Sequence, residues 1–350
     1  MVCIAAFIIL ALIGIFVAII SIFKPKVGKA YLKMFKKAWG CLWKKVRLQK
    51  CETGFKEDVK NTILSRVIVK HPKWVKPLSI IMEVLSVIIV IVAVWAILTA
   101  IKSLLALWAL GTCNVTKPAA CTLGAEVCSI DEDEPKNVFE ATGRWFTEWG
   151  EIFEAIPDKF RDYKAEDYLF NYIVINPDVS DKPIALDILD PGCSVCLRSY
   201  LNQESSGFLE QYEVRLVPFA IQDPDGNYKF KNSGVVVRYM YAAEQQKSGL
   251  ARTLLEHIFK DKNEDGISYQ NLFNEDFSEE EAIKQIKIWL KEAGLNSAAI
   301  EELEKIAYYP EISDKMKENH TIVETTLKLK GIPTMIYDGK KHTGLFKIDE

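Results

Sequence analysis

Apolar positions are spread unevenly along the chain. Residues 2–23 form a run of 22 without a charge, long enough for a helix across a bilayer core, which needs about 20 apolar residues. No Lys or Arg precedes this run, and it is longer than the apolar core of a signal peptide, so a retained membrane helix is expected rather than a cleaved leader. A second block occupies residues 78–110. Between Glu83 and Lys102 it holds 18 residues, of which only Ser86 and Thr99 are polar. It is expected to span as well, with Lys102 snorkelling outward to the headgroups.

Beyond Leu110 the pattern changes three times. Residues 111–135 are rich in small side chains and end in the acidic run Asp131-Glu132-Asp133-Glu134, which reads as a juxtamembrane linker. Residues 137–164 then set Val138, Phe139, Trp145, Phe146, Trp149, Ile152 and Phe153 at helical spacing. This predicts an amphipathic segment that docks on the domain or the membrane surface and is interrupted at Pro157. Short apolar runs closed by Pro, Asp or Gly follow at 169–176, 182–189 and 212–221, and predict buried strands. Residues 235–330 read mainly as helices. Ser278 and Glu281 make a capping box ahead of Ala282, Ile283, Ile286, Trp289 and Leu290, and Asn296 caps a helix carrying Ile300, Leu303 and Ile306.

Composition adds little until it is divided by segment. The chain is 49% hydrophobic and 26% charged, which excludes a disordered polymer, and its formal net charge is −3. That value conceals a loop, residues 24–77, with 16 Lys or Arg against three acids, and a region 103–350 with 27 basic and 43 acidic side chains. Basic loops flanking membrane helices stay in the cytoplasm. The expected topology is therefore a two-pass inner or plasma membrane protein with its N-terminus and large C-terminal region outside the cytoplasm. Trp39, Trp43, Trp74 and the neighbouring lysines could also touch anionic lipid. The cationic stretch contains no nucleic-acid-binding module and sits against membrane on both sides, so nucleic acid is not expected as a partner.

This topology sorts the eight cysteines. Cys3 lies in the first apolar run, Cys41 and Cys51 in the reducing cytoplasm, and Cys113, Cys121, Cys128, Cys193 and Cys196 outside, where disulfides persist. Five is odd, so one outer thiol is expected to lack an intramolecular partner. Cys113, Cys121 and Cys128 are expected to supply an accessory structural pair near the membrane. A relay between them and the other two is disfavoured, because it would bring the acidic run 131–134 close to a thiolate.

The chemistry concentrates at Cys193-Ser194-Val195-Cys196, a Cys-x-x-Cys that follows a strand and opens a helix. A thiol at a helix N-terminus is stabilised as thiolate by unpaired N–H groups and the helix dipole. Cys193 is therefore the expected exposed nucleophile. Cys196, one turn on, can attack a mixed disulfide at Cys193 and release the partner. Zinc would need two further ligands at suitable spacing, copper would favour clustered His or Met, and the calcium-like run 261–266 has Leu272 where a bidentate Glu is required. No metal and no cofactor beyond the dithiol is expected. A purely structural disulfide is the plainest alternative.

These features together resemble the thioredoxin superfamily and, within it, the DsbA-like branch with a helical insertion. Cys193-Ser194-Val195-Cys196 stands after a strand as the family motif does. Asp187 lies six residues before it, where such proteins often place a buried acid. Residues 331–340, Gly-Ile-Pro-Thr-Met-Ile-Tyr-Asp-Gly-Lys, resemble the family's cis-proline loop, strand and hairpin. The resemblance covers about residues 165–347 and implies an α/β thioredoxin-like fold with an inserted helical domain, preceded here by two transmembrane helices. Asp187 has apolar neighbours on both sides along its strand; if buried, it would have a raised pKa and could exchange a proton with Cys196. The resemblance further implies a cis Ile332–Pro333 bond, with Ile332 and Pro333 presenting main chain to an extended substrate.

The expected organisation is a transmembrane helix (1–23), a basic cytoplasmic loop (24–77), a second transmembrane helix (78–110), a linker with an amphipathic segment (111–164), and the thioredoxin-like domain (165–350) with its insertion at about 235–330. The expected function is a membrane-tethered, extracytoplasmic thiol-disulfide oxidoreductase acting on cysteine-containing exported proteins and coupled to a membrane redox partner. Ser194-Val195 leaves the direction of electron flow open. A non-catalytic thioredoxin-fold module binding within an envelope assembly is the alternative.

Overall fold

The computed structural model describes residues 75–130, 135–168, 170–177, 181–223 and 225–348, with scattered positions between 32 and 47. The apolar run 2–23, Cys3, Cys41, Cys51 and nearly all of the basic loop lie outside the described residues. Contacts divide the chain into two compact units, Met1–Ile101 and Lys102–Glu350. Helix α1 (Val75–Leu110) begins in the first. Its stretch Val87–Leu110 is long and apolar enough to cross a membrane, and Ile91, Val92 and Ile97 expose more than half of their surface instead of packing as a core helix would.

In the second unit, residues 111–130 are folded and are not a loose linker. A disulfide joins Cys113 to Cys121, a 3-10 turn covers Pro118–Ala120, and strand β1 (Cys128–Ser129) follows. Helix α2 (Val138–Ala155) starts at Asn137, whose side chain accepts from the Glu140 N–H, and gives way to a 3-10 turn at Pro157. Its buried face carries Glu148 and Ile152; Ile152 packs on Ala106, Ala109 and Val115. Lys102 is not snorkelling. It is buried in an ion pair with Glu148, and its amine lies 5.3 Å from the Trp145 ring centroid. The small side chains at 106 and 109 let α2 approach closely enough to supply the counter-charge.

The central sheet contains β2 (Ile173–Val174), β3 (Ile184–Leu189), β4 (Glu213–Pro218), β6 (Thr334–Tyr337) and β7 (Lys340–Thr343), in the order β2-β4-β3-β6-β7. Only β3 and β4 are parallel, and between them run α3 (Ser194–Ser205) and a single helical turn, Phe208–Gln211. Helices α4 (Ser233–Gln246), α5 (Leu250–Lys260), α6 (Glu279–Glu292), α7 (Ser297–Ala307) and α8 (Pro310–Thr321) fill the interval between β4 and β5 (Gly331–Ile332). The capping box at Ser278 and the Asn296 cap both form. Insertion and sheet share one hydrophobic core, in which Leu186, Ile188, Tyr200, Phe219, Tyr239 and Trp289 are buried.

The strand expected over 169–176 is reduced to two residues. Side chains take over its backbone partners at both ends: Asn171 N–H donates to Asn319, while the Asn176 amide donates to the carbonyls of Leu209 and Tyr212 and accepts from Val214 N–H. Such local side-chain bonding competes with a sheet ladder.

Candidate active site

The turn after β3 is built around Asp190. Its Oδ1 accepts from Gly192 N–H and its Oδ2 from Ile221 N–H, both at 2.7 Å, and its carbonyl accepts from Cys193 N–H at 3.0 Å. Two side chains from the insertion fix the turn's carbonyls. Gln270 donates to Pro191 at 2.8 Å and Cys193 at 3.1 Å, and Asn274 donates to Gly192 at 2.8 Å. A Cβ at Gly192 would stand 2.4 Å from Phe230 Cβ and 2.8 Å from Asn274 Oδ1, so the close packing of turn against insertion requires glycine there.

Cys193 is the N-cap of α3. Its Sγ accepts from the Cys196 N–H at 3.3 Å, one of the orphan donors that favour negative charge at this sulfur. Cys196 lies in the first turn and is fully buried. The two are not bonded to each other. Cys193 is joined to Cys128, 65 residues earlier, and Cys196 is the free cysteine among the described residues.

Three expectations change accordingly. Of Cys113, Cys121, Cys128, Cys193 and Cys196, the one without a disulfide partner is Cys196, and none of the linker cysteines is left over. Cys193 is fully buried, not exposed, and sits in a disulfide with Cys128 of β1. Charge repulsion does not keep that segment away: β1 pairs with β5, and once Cys193 is in a disulfide it carries no thiolate charge to repel an acid. The acidic run itself lies outside the described residues.

Two buried carboxyls lie close enough to act on Cys196. Asp187 is fully buried between Leu216 of β4 and Met335 of β6 in register. Burial raises its pKa from 3.8 to about 6, opposed by a 2.9 Å hydrogen bond from Gln203 to Oδ2. Its Oδ1 has no hydrogen-bond partner among the described residues. Asp190 is also fully buried, and burial raises it to about 7 against the two amides that donate to it. Burial pushes the Cys196 thiol well above its ordinary range, and the charges of Asp190 and Asp187 push it further. An isolated thiolate at Cys196 is thus costly, and its proton has two carboxylates nearby to accept it.

Ile332–Pro333 is a cis peptide bond. Antiparallel pairing of Ile188 with Thr334 sets the start of β6 beside the end of β3, where the Cys193 turn begins. Ile332 is buried and stands opposite Cys128 in register. The structure thus gathers Asp187, Cys193, Cys196, Ile332 and Pro333 with Cys128, while Cys113 and Cys121 bond to each other. Sequence reasoning missed Asp190, Gln203, Gln270 and Asn274. Asp190 was readable as a turn former but not as a buried acid, and the three amides carry no local signal.

No protein-family model matches the chain, and no curated protein sequence matches it. Among solved structures, it is similar to a thioredoxin-like oxidoreductase from Silicibacter pomeroyi, with 17% identity over 51% of this chain and 86% of that one, and a TM-score of 0.36. It is also similar to the thiol-disulfide exchange protein alpha-DsbA2 from Wolbachia pipientis, with 14% identity over 61% and 94% and a TM-score of 0.33. The catalytic domain of Proteus mirabilis ScsC is a third, with 15% identity over 52% and 88% and a TM-score of 0.31.

Proposed function

We propose that the chain is a membrane-tethered thiol-disulfide oxidoreductase, acting outside the cytoplasm on cysteines of exported proteins, with Cys193 as nucleophile and Cys196 as resolving thiol. The observation that carries this reading is Cys193 at the N-cap of α3, its sulfur accepting the Cys196 N–H and bonded to a cysteine of another segment, with the Cys196 thiol over two buried carboxyls. A mixed disulfide at Cys193 is the species from which Cys196 releases a partner. Release forms the Cys193–Cys196 bond, and the leaving sulfur takes the electron pair and a proton. Asp187 and Asp190 accept the proton that Cys196 gives up. Ile332 and Pro333 present main chain to the extended segment that carries the client cysteine. The basic loop 24–77 and the apolar blocks support the membrane and extracytoplasmic parts.

Trapping tests the reading. In membranes carrying the Cys128→Ser/Cys196→Ser chain, Cys193 should accumulate mixed disulfides with exported proteins, lost on further replacement of Cys193 by Ser. The burial of Cys193 in its observed disulfide favours a second reading, a non-catalytic binding module. That module would yield no trapped species.

A further inference from the structure

We propose that residues 125–130 are a tethered occupant of the substrate groove and that Cys128 is a third redox cysteine, holding Cys193 in an intramolecular mixed disulfide until Cys196 displaces it. This deepens the exchange reading above and rests on it.

The segment lies where an extended client strand is expected. β1 runs antiparallel to β5, with Cys128 opposite Ile332 and Ser129 opposite Gly331, directly before Pro333. Ile130 N–H donates to the Lys330 carbonyl at 3.1 Å, extending the ladder by a residue. Val127, Ser129 and Ile130 are buried. On the other flank, Leu345 N–H donates to the Glu126 carbonyl at 2.9 Å, Lys229 donates to the Ser129 carbonyl at 3.1 Å, and Glu126 pairs with Arg198 of α3. The groove is shaped for this strand: a Cβ at Gly331 would stand 2.8 Å from Val127 Cβ and 3.2 Å from the Cys128 carbonyl oxygen.

A purely structural cross-link has no need of the one sulfur that caps a helix, nor of a buried thiol one turn away. Here all three sulfurs needed for exchange belong to one chain. Cys196 gives its proton to the carboxylates beside it, and its sulfur attacks Sγ of Cys193. The Cys193–Cys196 bond forms, the Cys128–Cys193 bond breaks, and the electron pair leaves on Cys128, which takes up a proton. One disulfide and one thiol exist before and after, so no outside oxidant or reductant is consumed. In the first state the groove is filled. In the second, Cys193–Cys196 is the oxidised pair, and the strand is held only by noncovalent bonds that a client segment can replace. A tethered competitor acts at an effective concentration of ~1 mM, well above a micromolar client.

Detergent-solubilised full-length protein tests this. Peptide mapping of the wild type across a series of glutathione ratios should find both the Cys128–Cys193 and the Cys193–Cys196 linkages, in a proportion that the ratio leaves unchanged because the two are isomers at one oxidation level; a single linkage at every ratio overturns the proposal. Pre-oxidised Cys128→Ser protein should oxidise a micromolar fluorescent dithiol peptide about tenfold faster than pre-oxidised wild type, a small part of the advantage that tethering can confer. Exchange by Cys128→Ser at the wild-type rate overturns the proposal and leaves the oxidoreductase reading standing. Absence of exchange in both proteins removes that reading and the proposal with it. The mapping uses unaltered protein, so it decides even if Cys128→Ser folds poorly.

Discussion

Asp187 and Asp190 differ in what ionisation gives them. Both oxygens of Asp190 accept backbone N–H groups, so its carboxylate is matched to its surroundings despite burial. Asp187 has one amide donor and an unmatched oxygen, yet burial pushes Asp190 the further of the two, outweighing its backbone donors. The folded pKa values, about 6 and about 7, exceed the ordinary carboxylate value. The folded state therefore binds protons more tightly than the unfolded chain, and stability should fall as pH rises from about 4 to 7 and level off above. Asp187→Asn keeps the bond from Gln203 and removes one titration, so denaturant melts at pH 5 and pH 8 should differ less than in the wild type. Proton acceptance has the opposite sign, since only the ionised acid can take the Cys196 proton. Release of a mixed disulfide from Cys193 should accelerate as pH rises through 6–7. Asp187→Asn should slow it by roughly a hundredfold, the lower end of general-base contributions. Unchanged release kinetics would leave Asp187 a structural strand residue.

At the scale of elements, the Lys102–Glu148 pair fixes α2 against the end of α1. Removing one member strands a buried charge, so Glu148→Leu should destabilise this docking by about 3–5 kcal/mol, and Lys102→Met in the same chain should restore most of it. Thermal unfolding of the two variants checks this; equal stability of Glu148→Leu and wild type contradicts a buried pair. Gly331→Ala should push β1 off β5 and favour the Cys193–Cys196 bond, and the reading is a rise in alkylation of Cys128 with a matching fall at Cys196. The elements that position the dithiol were legible because their signals are local: β3 and β4 as apolar runs, Cys193 at a strand-to-helix turn, the caps at Ser278 and Asn296. β1 was not, because a two-residue strand has no periodicity and its partner is about two hundred residues away. β2 shrank because Asn171 and Asn176 satisfy backbone groups with side chains, a tertiary outcome that alternation of apolar residues does not encode.

For the whole molecule, the proposed topology ties the charge asymmetry to an oxidising compartment in which disulfides persist. A reporter fused after residue 350 should be active only outside the cytoplasm, and one inserted near Cys51 only inside. The reverse pattern would contradict both the topology and exported proteins as clients. The two disulfides divide the labour: Cys113–Cys121 ties the segment leaving α1, and Cys128–Cys193 ties the same segment to the start of α3. What links the scales is one sulfur. The most direct measurement is the mass of purified full-length Cys128→Ser/Cys196→Ser protein after incubation with a peptide containing one disulfide. The account predicts a peptide adduct that maps to Cys193 and is removed by dithiothreitol, whatever Cys3, Cys41 and Cys51 take up. Absence of an adduct at Cys193, whichever other cysteines react, would contradict it.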